Sequence, residues 1–154
     1  MVATSDGDGG TTDDTYAPRP IAGWYMVAAV ASLAVMALGL VGMFMHVTTD
    51  PATLPLDQRA LFEAEPKWVL AASGAGFMAG FLGALMLVLR RSAAERMMLV
   101  SLSAMIVWLA GMFSTPSFRD LLSTDQIAVL LAVVAITWTI FWFARHSRQR
   151  GWLR

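Results

Sequence analysis

The chain is built of long apolar stretches separated by short polar breaks. Apolar residues dominate from Ile21 to Val47, from Trp68 to Leu89, from Met97 to Phe113 and from Gln126 to about Ala144. The second stretch, 22 residues, would reach about 33 Å as an α-helix, close to the roughly 30 Å hydrocarbon core of a bilayer. The third is shorter, at 17 residues, and predicts a nearly upright helix or one that extends into Ser114. Backbone groups in lipid have no water to bond, so only helices and closed barrels cross it. Barrel strands alternate polar and apolar residues over about ten positions, and these stretches do not alternate. The pattern therefore predicts an all-α membrane protein, a four-transmembrane-helix bundle, with spans at about 21–47, 68–89, 97–113 and 126–144 inside one domain, 21–154.

The polar breaks differ in kind. Residues 1–20 are rich in Gly, Asp and Thr and end in Pro18-Arg19-Pro20. They hold too little apolar surface to offset chain entropy and predict a disordered N-terminal tail. Its acidic character and the length of the apolar stretch behind it argue for a retained span rather than a signal peptide. Thr48 to Lys67 is the longest loop, punctuated by Pro51, Pro55 and Pro66. Within it Leu54, Leu56, Leu61 and Phe62 are spaced for one or two turns of a short amphipathic helix on the membrane surface. Arg90 to Arg96 is a short basic loop. In the loop from Ser114 to Asp125, Ser123 or Thr124 suits the N-cap of the fourth helix. The two halves show none of the internal likeness expected of an inverted-repeat transporter.

Charge orients the bundle. One side carries Arg19, Arg90, Arg91, Arg96, Arg145, Arg148, Arg150 and Arg154, and the other only Arg59, Lys67 and Arg119. The positive-inside rule places the first set, and both termini, in the cytoplasm. The loop bearing Asp50, Asp57, Glu63 and Glu65 then faces outward. Overall composition agrees, since only 14% of residues are charged against about 25% in soluble domains. Net charge is zero, which gives no basic field for nucleic acid. The absence of cysteine removes disulfides, thiolate metal sites and cysteine nucleophiles together.

Candidate chemistry is sparse. Ala72, Gly76, Gly80 and Ala84 recur every four residues along the second span, with Gly83 beside them. Such small residues let helices approach closely in lipid, either within the bundle or at a dimer or partner interface. Gly39 and Gly42 on the first span, with Ala31, Ser32 and Ala34, are the expected packing partners. His46 and Asp50 are four residues apart, with Glu63 or Glu65 able to fold over them, and these residue types ligate zinc. A histidine favoured by the dipole at a helix C-terminus explains His46 equally well. Trp24, Tyr25, Trp68, Phe141, Trp142 and Phe143 fall at span ends and form an interfacial belt, while Trp108 and Trp138 lie deeper. The arginines Arg90, Arg91, Arg96, Arg145, Arg148, Arg150 and Arg154, with Trp152 and Leu153, suit anionic lipid headgroups. The spans contain no Asp, Glu, Lys or Arg for ion coupling. No Ser/His or Asp/Asp pair of an intramembrane protease occurs, and neither does a phosphate-cradling or dinucleotide motif, so no cofactor is expected.

The segment Leu54–Val69 (LPLDQRALFEAEPKWV), the glycine-rich second span ending Leu89-Arg90-Arg91, and the ending Trp142–Arg154 (WFARHSRQRGWLR) resemble a group of four-span bacterial inner-membrane proteins, some of them labelled sugar transporters. The resemblance covers residues 21–154. It implies a proteobacterial inner membrane and carries no catalytic residues with it.

Three functions follow from the residues. The first is a structural or accessory subunit of a membrane complex, in contact with the lipid bilayer and with other subunits or copies of itself. The second is a small oligomeric carrier with a polar cavity lined by Ser101, Ser103, Thr137 and Thr139. The third is an enzyme with its site on the outer loop at His46, Asp50, Glu63 and Glu65.

Overall fold

A computed structural model describes residues 22–154; the expected tail, residues 1–20, lies outside them. Four long helices, α1 (Tyr25–Thr48), α3 (Lys67–Val88), α4 (Ala93–Ser114) and α6 (Thr124–Gln149), run up and down. Each is long and apolar enough to cross a membrane. The chain is thus an all-α, multi-pass membrane protein. Between α1 and α3 lie a 3₁₀ turn, Pro51–Thr53, and the short helix α2 (Leu56–Ala64), where the amphipathic spacing predicts one. A single turn, α5 (Pro116–Arg119), occupies the loop before α6. One end of the bundle carries most of the arginines and is called the basic end. The other carries α2 and is called the acidic end.

Helix bounds depart from the hydropathy reading where charge enters. α4 starts at Ala93 rather than Met97, so it has 22 residues and is not short. Its first turn contains Glu95, which the helix dipole favours there and which accepts a 2.6 Å hydrogen bond from Arg148 Nη1. α1 starts at Tyr25 rather than Ile21, and α6 runs past Ala144 to Gln149. At the start of α6 the expected cap forms as a reciprocal box. Gln126 N donates to Ser123 Oγ at 3.3 Å, and Ser123 N donates to Gln126 Oε1 at 2.9 Å.

α3 is the central helix, packed against both α1 and α4, and α4 in turn packs against α6. Its small residues make this possible. A Cβ on Gly76 would meet Met105 of α4, and one on Gly83 would meet Met98. Gly80 is pressed between Met36 of α1 and Ser101 of α4. Ser101 Oγ donates to the Gly76 carbonyl at 2.8 Å, a bond that the close approach permits. Gly76, Gly80, Gly83 and Ala84 are buried, and Ala72 packs beside the core of the acidic end. The stripe therefore serves the bundle itself. Its main partner is α4 rather than the first span, although Gly39 of α1 does lie directly against the Phe77 ring. Gly42, expected to pack there too, faces open space: a Cβ on it would meet nothing within 4 Å.

The basic end is closed. Tyr25 donates from its hydroxyl to the Leu87 carbonyl at 2.7 Å. α6 ends in a Schellman motif: Trp152 N donates to Ser147 O and Gly151 N to Arg148 O, with Gly151 at the left-handed position, φ 72°. α3 ends the same way, Arg91 N on Met86 O and Arg90 N on Leu87 O. Here Arg90 takes the left-handed conformation, φ 56°. Two backbone bonds of 2.7 Å, Arg154 N to Arg90 O and Ser92 N to Arg154 O, clip the returning chain to this turn. Trp152 and Leu153 consequently lie inside, 7% and 8% exposed, against Tyr25, Ala29, Leu87 and Phe143. This corrects the reading of the pair as lipid-facing: Gly151 turns them back into the bundle.

Candidate functional site

The buried residues of α1 are Tyr25, Ala29, Ser32 and Met36, at the four-three-four spacing of one helix face. That face continues through Gly39, Met43 and His46, yet none of these is buried. The smaller core at the acidic end consists of Val69, Met105, Trp108 and Met112, joined by residues of α2, α3 and α6 and by none described from α1. α1 thus buries its inner face only toward the basic end. Toward the acidic one it stays against α3, through Gly39 on Phe77 and Met43 beside Ser73 and Gly74, and leaves a gap on the side of α2 and α4.

That gap is a cavity of about 550 Å³, within the roughly 300–1,000 Å³ of small-molecule sites. Its apolar part is formed by Gly39, Gly42, Met43, Leu70, Phe77, Trp108 and Met112. Gly39 and Phe77 lie about ten residues, or about 15 Å of helix, from the acidic ends of their helices. Leu54, Gln58, Leu61 and Phe62 form the side contributed by α2 and its approach. His46, Thr49, Glu65 and Gln126 add polar groups near the opening, and Ser73 lies deeper. The Ser73 hydroxyl donates to the Leu70 carbonyl at 2.8 Å, which satisfies it locally.

One polar contact joins α2 to α1. His46 Nε2 and Glu65 Oε2 are 2.8 Å apart, and the Glu65 side chain is only 9% exposed. The Phe62 ring lies 4.7 Å from the His46 ring, centroid to centroid. Pro55 precedes α2 and Pro66 follows Glu65, so the short helix is bounded by residues that cannot extend it.

Of the four residues named for a metal or an outer enzyme site, the structure brings together His46 and Glu65 alone. The helix stops at Thr48 and the backbone is extended at Thr49. Asp50 instead accepts from Ala52 N at 2.9 Å and caps the 3₁₀ turn. Glu63 pairs along α2 with Arg59 at 2.7 Å, and that hydrogen bond raises the guanidinium above its ordinary pKa. Among the described residues no three His, Asp or Glu side chains are grouped to hold a metal ion. The outer-loop enzyme reading thereby loses its constellation.

The carrier reading loses its lining as well. Ser101 and Thr137 are buried, whereas Ser103 and Thr139 are exposed on the other sides of their helices. Thr137 and Thr139 donate to the carbonyls of Val133 and Ala135, each at 2.9 Å. None of the four lines the cavity. Trp108 and Trp138 also separate: Trp108 is in the core and Trp138 is 57% exposed. At the basic end Arg91, Arg96, Arg145, Arg150 and Arg154 are exposed. Arg148 is paired with Glu95, and Arg90 lies 6.0 Å from the Tyr25 ring centroid.

Sequence reasoning missed the cavity and with it Gln58, Phe62, Phe77 and Gln126. The available signal was the glycine at Gly42 of α1, where a Cβ would meet nothing within 4 Å, whereas the space at Gly39 is taken by the Phe77 ring. Searches against protein-family models, curated proteins and solved structures gave no match to the chain.

Proposed function

We propose that this is a bacterial inner-membrane protein with both termini in the cytoplasm, which holds a small amphiphilic molecule entering from the periplasmic side. The cavity between α1, α3 and α4, with α2 beside its opening, carries this reading. Its lining joins a largely apolar body to a few polar groups at one end, the usual composition of a small-molecule site. The arginine distribution supports the orientation, and the resemblance to four-span inner-membrane proteins supports the membrane.

The role is accessory: the protein binds and presents its ligand to other membrane components. No Asp, Glu, Lys or Arg lies more than five residues from an end of any long helix, so mid-membrane charge for ion coupling is missing from these helices. The half of the bundle below the cavity is filled by Met36, Ala84, Leu87, Met98, Ile140 and Phe143.

Binding of the neutral fluorophore N-phenyl-1-naphthylamine to the protein in lipid nanodiscs tests the proposal, with protein-free discs as the blank. Tryptophan emission is expected to be quenched saturably, near one probe per chain. Gly42→Phe should block it, because Gly42 lines the cavity and a Cβ there meets no atom within 4 Å. We expect affinity to fall about tenfold or more, about 1.4 kcal/mol, with an unchanged melting temperature. Unsaturable quenching, or equal affinity in the variant, would refute the reading.

A further inference from the structure

Resting on that reading, we infer that the cavity selects an amphiphilic organic cation, an amine or onium group on an aromatic or alkyl body. Its lining contains the carboxylate of Glu65 and neither lysine nor arginine. His46 engages one oxygen of that carboxylate, Oε2; Oε1 carries no hydrogen bond among the described residues. A cation entering beside Glu65 would share with His46 a carboxylate that has one oxygen still open to a donor.

Two further observations point to the same sign of charge. Phe62, Phe77 and Trp108 present aromatic surface to the cavity, and the faces of such rings attract cations. A neighbouring groove of about 350 Å³ shares Leu61 and Gln126 with the cavity, and its single charged lining residue is again acidic, Asp125. Of the basic side chains at this end, Arg59 is paired with Glu63 and Arg119 with Asp120, and Lys67 is exposed outside the lining. The charged carboxylates that line these two spaces, Glu65 and Asp125, favour a cation over an anion there.

Tetraphenylphosphonium, its anionic isostere tetraphenylborate and neutral N-phenyl-1-naphthylamine make a matched test in nanodiscs of zwitterionic lipid. The wild-type chain is expected to bind the phosphonium saturably and to show no saturable binding of the borate. Glu65→Gln should weaken the phosphonium by about tenfold or more while leaving the neutral probe unaffected. His46→Gln retains the Glu65 charge and should retain phosphonium binding. Equal losses in the two variants would mean that the pair only positions α2, and would overturn the inference. So would phosphonium affinity undiminished in Glu65→Gln, or a preference for the borate. In those cases the neutral probe still binds and the cavity reading survives. Failure of the wild-type chain to bind any of the three overturns both.

Discussion

Replacing Trp152 with alanine is expected to be among the most damaging single changes in this protein, costing about 3–5 kcal/mol as for other buried aromatics. Trp152 lies beyond the last turn of α6, yet it is 7% exposed. Its ring meets Trp24 and Tyr25 edge-on, at centroid distances of 5.9 and 5.7 Å. It therefore ties the start of α1 to the end of α6 at the closed end of the bundle. Removing it opens a hole beneath Tyr25, whose hydroxyl bonds α3 at Leu87, so three helices lose a common contact. Trp142, 59% exposed on the outer surface of α6, is the control. In lipid its truncation should stay within about 0.5 kcal/mol. Trp152→Phe separates packing from polarity. The indole Nε1 is buried without a partner among the described residues, an arrangement that costs about 1–3 kcal/mol and that phenylalanine avoids, so this variant should recover most of the loss. Unfolding of each variant in detergent micelles by graded SDS reads the differences. Equal effects at Trp152 and Trp142 would show that the returning segment does not dock.

The spans were legible because bilayer physics needs only a long apolar stretch to declare a helix. Their ends were not, because hydropathy reports burial in lipid and a helix continues into the headgroups. Glu95 and Arg96 belong to α4 for that reason. Two misreadings could have been avoided from spacing alone. Ser101 and Ser103, like Thr137 and Thr139, are two residues apart, so about 200° separates them around a helix and they cannot line one cavity. Gly151 followed by Trp152 is the signature of a Schellman motif, glycine at the left-handed position and then an apolar residue folding back. The neighbouring arginines hid it by suggesting a lipid anchor. Arg90 gave no comparable signal, since a non-glycine residue in that conformation is held by its surroundings, here by the bonds to Arg154. The cavity is the least legible feature. It depends on α1 burying its inner face at one end and leaving it half-open at the other, and no local pattern encodes that. His46 and Glu65 were named together, but their separation from Asp50 and Glu63 followed from where α1 stops.

Replacing Gly80 with leucine is expected to cost about 3 kcal/mol or more, at the upper end of what overpacking produces. A Cβ there would lie 2.6 Å from Met36 Sδ and 2.8 Å from Ser101 Oγ. Met36 and Ser101 are themselves buried and lie on different helices, so a leucine must displace both side chains at once in a packed interior. Displacing Ser101 also breaks its bond to the Gly76 carbonyl, an interhelical bond worth about 0.6–1.7 kcal/mol in a membrane. The leucine gains little in return, because lipid tails are as apolar as the bundle interior and supply no hydrophobic drive to bury it. Gly42→Leu is the matched comparison: the substitution is the same and the site is again a transmembrane helix, but a Cβ there meets nothing within 4 Å. Both variants gain about the same helix propensity, close to 1 kcal/mol. The difference between them therefore measures packing at Gly80 alone. SDS unfolding should show Gly80→Leu destabilised and Gly42→Leu unchanged or slightly stabilised. If Gly80→Leu kept its stability and instead broke up an oligomer on gel filtration, the small-residue stripe would be an interface between chains and the packing of α3 against α4 would have to be redrawn.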